Sequence, residues 1–360
     1  MFKEVRRHAI TEYRTESRTS ADSWADEAYR REYHAFTSLV WSPKRKKLYC
    51  GLTNFGNDLL WEFDPAGGTF KDLGYRQAGF CEPFDIKLHR SLEIDSRGVL
   101  YGATSCLHGI EKRAEGPGGK VFSYDPETGQ YRLLAIPKSR DYIQTISLDE
   151  KRAMIYGFTY PVFEFFAYSI GENRVRYCEY QESIVHVGAV DDRGRYWGTW
   201  SSRHHLFSYD PAENRVTYHQ HGFPETFHSL MYPNAGPVDA MINGGDGFIY
   251  AATENATLYR LDPESARLEY LGKPYPGNRM PGLQVAADGL IYGCGGSDNQ
   301  PVVFRYDRRS GRFETLGEIR TSAGGEVCFR THDLEVVGNT IYVGETDNPS
   351  RTNYLWECRI

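Results

Sequence analysis

The sequence predicts an all-β fold, a single seven-bladed β-propeller of four-stranded antiparallel blades that takes in residues 1–360. Two strand-like motifs each recur seven times, with a period of roughly 40–55 residues that is typical of propeller blades. Apolar and polar residues alternate within the repeats, and aromatic and β-branched residues are frequent, which favours strands. The final repeat ends one strand short at Ile360, so we expect another segment to close the ring.

The first motif is an apolar residue, an aromatic residue, two small residues and a Thr or another polar residue. It predicts the second strand of each blade, strand B, and a small apolar strand A precedes it after a turn such as Asp-Asp-Arg-Gly. The copies lie at residues 48–53, 100–105, 155–160, 196–201, 249–254, 291–296 and 341–346.

The second motif predicts strand C and in most copies ends in Asp-Pro or Asp. Proline presets φ, and a following Gly or Asn accepts positive φ, so these residues indicate a tight turn into an outer strand D. The copies lie at residues 59–65, 120–126, 164–170, 205–211, 257–263, 302–308 and 353–359.

Two further elements concern the N-terminal part of the chain. Residues near 5–13 are the simplest source of the missing seventh strand D, because ring closure removes the exposed edges of an open sheet. Helix is expected to be nearly absent. The exception is a segment from Ser20 to Tyr33, in which Ser20 is the predicted N-cap.

Composition narrows the classes of partner. The net charge of -6 argues against a general nucleic-acid binder, which depends on a basic surface. The sequence contains no run of about 18 apolar residues, so no membrane span is predicted. The N-terminal residues contain no apolar stretch, so no signal peptide is expected. Seven scattered Cys without a C-x-x-C pair indicate a reduced, cytoplasmic protein. We expect a small oligosaccharide ligand and a monomer or small homo-oligomer.

Two long connections are expected on the face of the ring that carries ligands in propellers. Residues 106–119 lengthen the loop between strands B and C of blade two and include His108, and long loops in compact domains are often functional. Residues 14–35 lead into blade one and are a candidate lid that brings Arg30, Arg31 and His34.

Aligning the A strands on the first motif places one set of residues at a common level of the channel: Thr37, Arg90, Gln144, His186, Pro281 and His332, with blade five ambiguous by one residue. Strand A faces the channel, where small apolar residues are expected. An Arg and two His at this level therefore indicate a site near the channel mouth. Arg203, His204 and Tyr160 should lie beside it.

These residue types suit proton abstraction beside a carboxylate. His108 or His186 would be the base, Tyr160 an acid or base, and Arg203 or Arg90 the group that neutralises the carboxylate. Gln144, His204 and His332 would bind the substrate.

Each of these residues also has a structural alternative. The channel histidines can be satisfied by ordinary hydrogen bonds, Tyr160 can simply pack, and Arg203 to His205 can be a solvated turn. A divalent metal is a further alternative, held by His34, His186, His204 and His332, although no tight ligand spacing requires one.

The repeat architecture over most of the chain resembles the seven-bladed propeller polysaccharide lyases, of the oligogalacturonide, ulvan and rhamnose–glucuronate types. The resemblance implies cleavage of uronic-acid-containing oligosaccharides by β-elimination, with His, Tyr and Arg on the ligand face and in some families a metal. Two alternatives stay open from the residues alone. One is a propeller glycoside hydrolase with an atypical His-based site, and the other is a non-catalytic interaction propeller.

Overall fold

The computed structural model describes all residues except 17, 18, 20, 21, 23, 24, 108, 109, 182–186 and 225–237. It contains seven four-stranded antiparallel sheets, which confirms the predicted propeller. Each strand A contacts the strand A of the next blade, and the first and last blades also meet, so the innermost strands form a closed ring around the channel.

The strands follow the predicted order from the inner strand A to the outer strand D. Blade one comprises β2 (His34–Ser42), β3 (Lys47–Asn54), β4 (Leu60–Asp64) and β5 (Thr69–Asp72). Blade two comprises β6 (Leu92–Ile94), β7 (Leu100–Ala103), β8 (Val121–Asp125) and β9 (Gln130–Ala135). Blade three comprises β10 (Tyr142–Asp149), β11 (Met154–Tyr160), β12 (Glu164–Ser169) and β13 (Arg174–Tyr180).

The remaining blades repeat this arrangement. Blade four comprises β14 (Ala189–Val190), β15 (Tyr196–Trp200), β16 (His205–Asp210) and β17 (Arg215–Gly222). Blade five comprises β18 (Val238–Asn243), β19 (Ile249–Thr253), β20 (Leu258–Asp262) and β21 (Arg267–Gly272). Blade six comprises β22 (Gly282–Val285), β23 (Ile291–Ser297), β24 (Gln300–Asp307) and β25 (Arg312–Glu318). Blade seven comprises β26 (Thr331–Val337), β27 (Thr340–Glu345), β28 (Leu355–Arg359) and, as its outer strand, β1 (Glu4–His8).

The N-terminal strand closes the ring, as predicted. Strand β1 pairs antiparallel with β28, with Val5 opposite Cys358. Val5 is buried in one core cluster with Trp356 and Cys358. This pairing covers the edge that β28 would otherwise expose.

The small residues of the strand B motif make room for aromatic rings. A Cβ atom on Gly102 would lie 2.4 Å from the ring of Phe122 on β8, and one on Gly293 would lie 2.5 Å from the ring of Phe304 on β24. Real Cβ contacts are longer than this, so these positions require glycine. The spacing of the two motifs therefore reflects the packing of strand C against strand B.

Helix is scarce in the described residues. Within the predicted N-terminal helix, Asp22, Ala25 and residues 27–32 are helical, but Asp26 is extended (φ -74°, ψ 106°) and interrupts it. Its carboxylate accepts a hydrogen bond from the backbone N–H of Tyr29 and caps α1 (Glu27–Glu32), and Asp is among the preferred N-cap residues. The predicted cap, Ser20, lies outside the described residues. A second short helix is α2 (Ile110–Arg113), and no helix of the described chain is long and apolar enough to span a bilayer.

Candidate functional site at the channel mouth

A ring of β-bulges builds the channel mouth. The register between strands A and B shifts by one residue in four blades, which leaves Thr37, Gln144, Asp239 and His332 outside the ladder. A bulge often redirects a side chain beside an active site. These are the positions that the alignment of the A strands predicts, and Asp239 is the member from blade five that the sequence left ambiguous.

Arg90 is the corresponding residue of blade two and reaches across the channel. It precedes β6 with a φ of 48°, and its guanidinium lies 2.9 Å from a carboxylate oxygen of Asp239 on blade five. A second guanidinium nitrogen of Arg90 donates to the carbonyl oxygen of Asp239. The backbone of Arg90 is also fixed, because its carbonyl accepts a hydrogen bond of 2.8 Å from the hydroxyl of Thr145. This pair ties blade two to blade five over the mouth.

Arg279 joins this pair from the connection between blades five and six. Its Nε lies 3.6 Å from the carboxylate of Asp239. Burial opposes the ionisation of Asp239, but Arg279 and Arg90 outweigh it and hold the pKa of this carboxyl well below its usual range. Two buried nitrogens, Nε of Arg90 and Nη1 of Arg279, have no hydrogen-bond partner among the described residues. One carboxylate therefore faces two guanidinium groups with unused donors.

Two histidines complete one side of the mouth. The rings of His89 and His332 lie 4.8 Å apart, edge to face. Nδ1 of His89 lies 2.8 Å from the carbonyl oxygen of Gln144 and therefore carries a proton, because a carbonyl oxygen only accepts. His332 is 4% exposed, and its Nδ1 has no hydrogen-bond partner among the described residues. Burial first, then the charges of His89 and Lys87, lower the pKa of His332 well below its usual value.

Lys87 adds a third cationic side chain. Its backbone forms isolated bridges with Thr53 and Ser105. Within the described part of the chain, the Lys87 amine makes no hydrogen bond or ion pair. Burial lowers its pKa to about 8, Asp347 opposes that shift, and Arg90 and Arg279 add to it.

We call this set the cationic chamber. Its members are Lys87, His89, Arg90, Asp239, Arg279 and His332. The nearby carboxylate of Asp347 is already engaged by Arg330, at 3.0 Å. The chamber thus combines two guanidinium groups, an amine and two imidazoles around one carboxylate. An arrangement of this kind binds a carboxylate or phosphate group well, since anions are most stable beside several fixed donors.

Among the described residues, the cationic chamber does not include the predicted Arg203, His204 or Tyr160. Arg203 is exposed in the predicted turn between β15 and β16, and His204 is buried there with a φ of 54°. Arg203 and His205 line a separate groove of about 600 Å³ between the outer edges of blades four and five. Its other lining residues are Gln220, His221, Gly222, Phe223, Arg267 and Leu268.

Tyr160 packs beneath the long loop of blade two. The guanidinium of Arg113 lies 4.6 Å above its ring, and Phe163 meets the ring edge to face at 5.4 Å. This geometry matches the packing alternative for Tyr160. The loop therefore does reach blade three, as its length suggests. His108 and His186, the two predicted bases, lie outside the described residues.

The N-terminal connection is anchored on blade seven. The hydroxyl of Tyr29 donates to the backbone carbonyl of Asn348, and the hydroxyl of Tyr33 accepts from the backbone N–H of Asp347. His34 is not presented by this connection, because it is the first residue of β2 and is fully buried. Burial lowers the pKa of His34 to about 4. His34 therefore belongs to the first strand of blade one, and a lid formed by residues 14–35 stays a prediction.

Three carboxyl groups that the sequence did not assign to the site lie deeper in the channel. Glu93 is on β6, and Asp333 and Glu335 are on β26, beyond His332. Burial raises the pKa of Glu93 and of Glu335 to about 8 and that of Asp333 to about 6. Asp333 is held by the backbone N–H groups of Leu39 and Leu334, both at 2.8 Å. Alternation along β26 is the signal that could have revealed Glu335.

No group of three or more His, Cys, Asp or Glu side chains within the described chain could hold a metal ion. His34 and His332, two members of the predicted metal set, sit in different surroundings, since His34 contacts Phe36 and His332 contacts His89. The metal alternative therefore gains no support from the residues that are described.

Comparisons with known proteins support the fold. No protein-family model and no curated protein matches the chain. Among solved structures, a catalytically inactive variant of virginiamycin B lyase from Staphylococcus aureus with quinupristin has a TM-score of 0.65 at 12% identity, covering 99% of this chain and 100% of its own. A streptogramin B lyase has a TM-score of 0.62 at 12% identity, covering 99% of both chains.

A third similar structure is an extracellular domain of a putative one component system from B. thetaiotaomicron. Its TM-score is 0.62 at 10% identity, and the match covers 99% of this chain and 40% of that one. At such low identities these likenesses show the fold alone. The two lyases are named for virginiamycin B and streptogramin B and not for a polysaccharide, so the predicted polysaccharide-lyase type stays a prediction. The chain is a seven-bladed β-propeller with lyases among its structural neighbours.

Proposed function

We propose that the protein is a lyase that cleaves uronic-acid-containing oligosaccharides by β-elimination, with the sugar carboxylate bound in the cationic chamber. The observation that carries the proposal is the excess of cationic donors over carboxylates at the mouth. Arg279 and Lys87 are the groups best suited to hold the carboxylate, because Asp239 occupies most of the Arg90 guanidinium.

In β-elimination, the negative charge of the sugar carboxylate must be neutralised before the adjacent C–H bond can break. Positive charges beside the carboxylate stabilise the enolate-like transition state, and a nearby base removes the proton. His332 has a buried Nδ1 with no hydrogen-bond partner among the described residues, and in this proposal that nitrogen accepts the proton. His89 holds its Nδ1 proton on the carbonyl of Gln144 and is therefore oriented rather than free to rotate.

The predicted roles of His108 and His186 as the base remain part of this proposal, as alternatives to His332. Tyr160 is a weaker candidate for the acid or base than the histidines, since its ring is covered by Arg113. Arg203 would contact the ligand of the cationic chamber only if a long oligosaccharide also extended into the groove between blades four and five. We infer from these positions that Arg90, Gln144 and His332 form the core of the predicted site.

Product analysis tests this proposal. Purified protein is incubated with a panel of uronic-acid oligosaccharides, with and without divalent metal, and ultraviolet absorbance is followed. Elimination produces an unsaturated uronate that absorbs, whereas hydrolysis releases saturated sugars that do not. A rise in absorbance supports the lyase. Release of saturated products would instead support the glycoside hydrolase. If no member of the panel gave a product, the result would favour a non-catalytic interaction propeller.

A cytoplasmic location is also part of this proposal. None of the seven cysteines forms a disulfide, and five of them are buried. Thiols without disulfides fit a reducing compartment. One of the similar solved structures is an extracellular domain, so the fold itself does not select a compartment.

A further inference from the structure

The groove between blades four and five is a second cationic surface, and it shares no residue with the cationic chamber. Arg203 reaches it from the turn before β16, and Arg267 reaches it from the start of β21. Both residues are exposed, and within the described chain neither guanidinium forms an ion pair or a hydrogen bond. Two unpaired guanidinium groups therefore face one concave space in a protein whose net charge is -6.

The sequence of blade five removes the counter-ion of Arg267. The first residue of the outer strand is also an arginine in blades three and four, and there it pairs with a glutamate two residues earlier. These pairs are Arg174–Glu172 at 2.6 Å and Arg215–Glu213 at 2.5 Å. In blade five the earlier residue is Ser265, and its hydroxyl donates to the carboxylate of Asp262 at 2.7 Å. Arg267 thus lacks the partner that its counterparts have.

The neighbouring carboxylates of blade five are engaged by other arginines. Glu264 contacts Arg195 at 2.8 Å, and Glu269 contacts Arg260 at 2.5 Å. Neither of these carboxylates forms an ion pair with Arg267. The positive charge of Arg267 therefore has no internal counter-charge among the described residues, and it is available to an anion from solution.

Backbone geometry fixes the floor of the groove. Strands β16 and β17 form a bulge between His205 and Phe207, and Gly222 lies opposite His205. A Cβ atom on Gly222 would lie 2.5 Å from the carbonyl oxygen of His204, so a larger residue would not fit. Phe223 follows, donates its backbone N–H to that carbonyl at 3.2 Å, and is buried. The cationic side chains thus stand around a floor that the core of the protein holds in place.

Neutral donors accompany the two arginines. His205, Gln220 and His221 also line the groove, and within the described part of the chain none of their side chains makes a hydrogen bond. A neutral imidazole donates one N–H, and an amide donates two. A carboxylate has only two oxygens, which a single guanidinium satisfies, whereas a phosphate monoester has three terminal oxygens and a charge of about -2. The number of donors therefore favours a phosphate group over a carboxylate.

We propose that the groove between blades four and five binds the phosphate group of a phosphate monoester. The guanidinium groups of Arg203 and Arg267 bind the phosphate oxygens from the two blades, and the imidazole and amide groups supply further donors. The groove measures about 600 Å³, within the roughly 300–1,000 Å³ of small-ligand sites, so it also has room for the organic part of the ester. The inference goes beyond the proposed lyase function and does not depend on it.

Calorimetric titration of the protein, in a buffer without phosphate, tests this proposal. The probes are glycerol phosphate, acetate and a short phosphoserine peptide. We expect wild type to bind glycerol phosphate with a Kd of about 1 mM or less, and to bind acetate at least about tenfold more weakly. Tighter binding of the phosphoserine peptide would identify the source of the ester as a partner protein, and tighter binding of glycerol phosphate would identify it as a small molecule.

Arginine substitutions locate the bound phosphate. Arg203→Gln and Arg267→Gln should each weaken the binding of glycerol phosphate at least about tenfold, because each removes a charge-assisted contact. The matched control is Arg312→Gln, which should bind like wild type. Arg312 is also an exposed first residue of an outer strand without an ion pair among the described residues, but it does not line the groove.

Two results would overturn the proposal. One is a wild type that does not bind glycerol phosphate, or binds acetate equally well. The other is equal affinity for glycerol phosphate in wild type, Arg203→Gln and Arg267→Gln. No uronate is present in these titrations, so either result is distinct from a failure of the lyase assay.

Discussion

At the scale of single residues, the buried charges of this propeller serve two different purposes. In the chamber, cations outnumber carboxylates and leave donors unused. Around Asp85, by contrast, the buried charges are paired and hydrogen-bonded. Its carboxylate accepts hydrogen bonds from Lys120, from the hydroxyls of Thr104 and Tyr75, and from the backbone N–H of Glu82. The unused donors of the chamber can bind a ligand, whereas the paired charges around Asp85 fix the connection that carries Lys87 and Arg90.

Replacing Asp85 should therefore be costly. Asp85→Ala leaves Lys120, which is 1% exposed, without its counter-charge, and breaking a buried pair in this way typically costs about 3–5 kcal/mol. The free energy of unfolding from urea denaturation measures the loss. The matched control is Glu314→Ala, which removes the surface pair with Arg305 and should cost less than about 1 kcal/mol. Equal losses in the two variants would contradict this account of Asp85.

Part of the chamber was predictable residue by residue. Gln144 and His332 follow from aligning the A strands, because the bulge recurs at one position of the repeat. Arg90 aligns with them although it lies just before β6. Lys87, His89 and Arg279 were missed. They lie in connections that precede the strands, where no periodicity marks which side chains turn toward the axis.

At the scale of elements, the A strands place basic groups at the mouth of the channel and carboxyl groups at a deeper level. The mouth holds the cationic chamber, and the deeper level holds Glu93, Asp333 and Glu335. Glu335 is fixed by Gln284, whose side-chain N–H donates at 3.0 Å. Because burial raises the pKa of these acids, their ionisation opposes folding.

The deeper level predicts a dependence of stability on pH. Below about pH 4.5 Glu335 is protonated in both the folded and the unfolded chain, and stability falls as pH rises toward 8, where the folded protein must also ionise it. Glu335→Gln removes this penalty and should be more stable than wild type at pH 9, by up to about 5 kcal/mol, with a much smaller difference at pH 5. Urea midpoints at both pH values measure this. A difference that does not change with pH would exclude the mechanism.

Element boundaries were predictable where turn residues mark them. The Asp-Pro turns place the ends of the C strands, such as β8 and β16, within a residue or two of the structure. The break in the N-terminal helix was not predicted, because the sequence is compatible with helix on both sides of Asp26. The Asp26 side chain caps the following helix, and its backbone is extended.

At the scale of the whole molecule, the ring depends on a strand from the opposite end of the chain. Strand β1 contributes Val5 to the core and pairs His8 with Glu357 at 2.9 Å. Seven repeats and a missing last strand were sufficient to predict this closure. The repeats do not predict which blades are joined by side-chain contacts across the channel, such as the contact between Arg90 and Asp239.

Removing the closing strand should open the ring. Deletion of residues 2–9 exposes the backbone edge of β28, so we expect a thermal midpoint lower by at least about 5 °C and association at higher protein concentration. Calorimetry and size-exclusion chromatography measure the two effects. A synthetic peptide of residues 2–12 should restore part of the midpoint, and a scrambled peptide should not. An unchanged midpoint in a monomeric variant would show that β1 is dispensable.

The central claim is that the cationic chamber binds the carboxylate of a sugar acid, and calorimetric titration tests it most directly. The ligands are a uronate disaccharide and its neutral counterpart, and the proteins are wild type, Arg279→Gln and the surface variant Arg174→Gln. We predict that wild type and Arg174→Gln bind the uronate at least about tenfold more tightly than Arg279→Gln does, and that none binds the neutral sugar comparably. Equal affinity in Arg279→Gln, or equal affinity of wild type for the charged and neutral sugars, would contradict the claim.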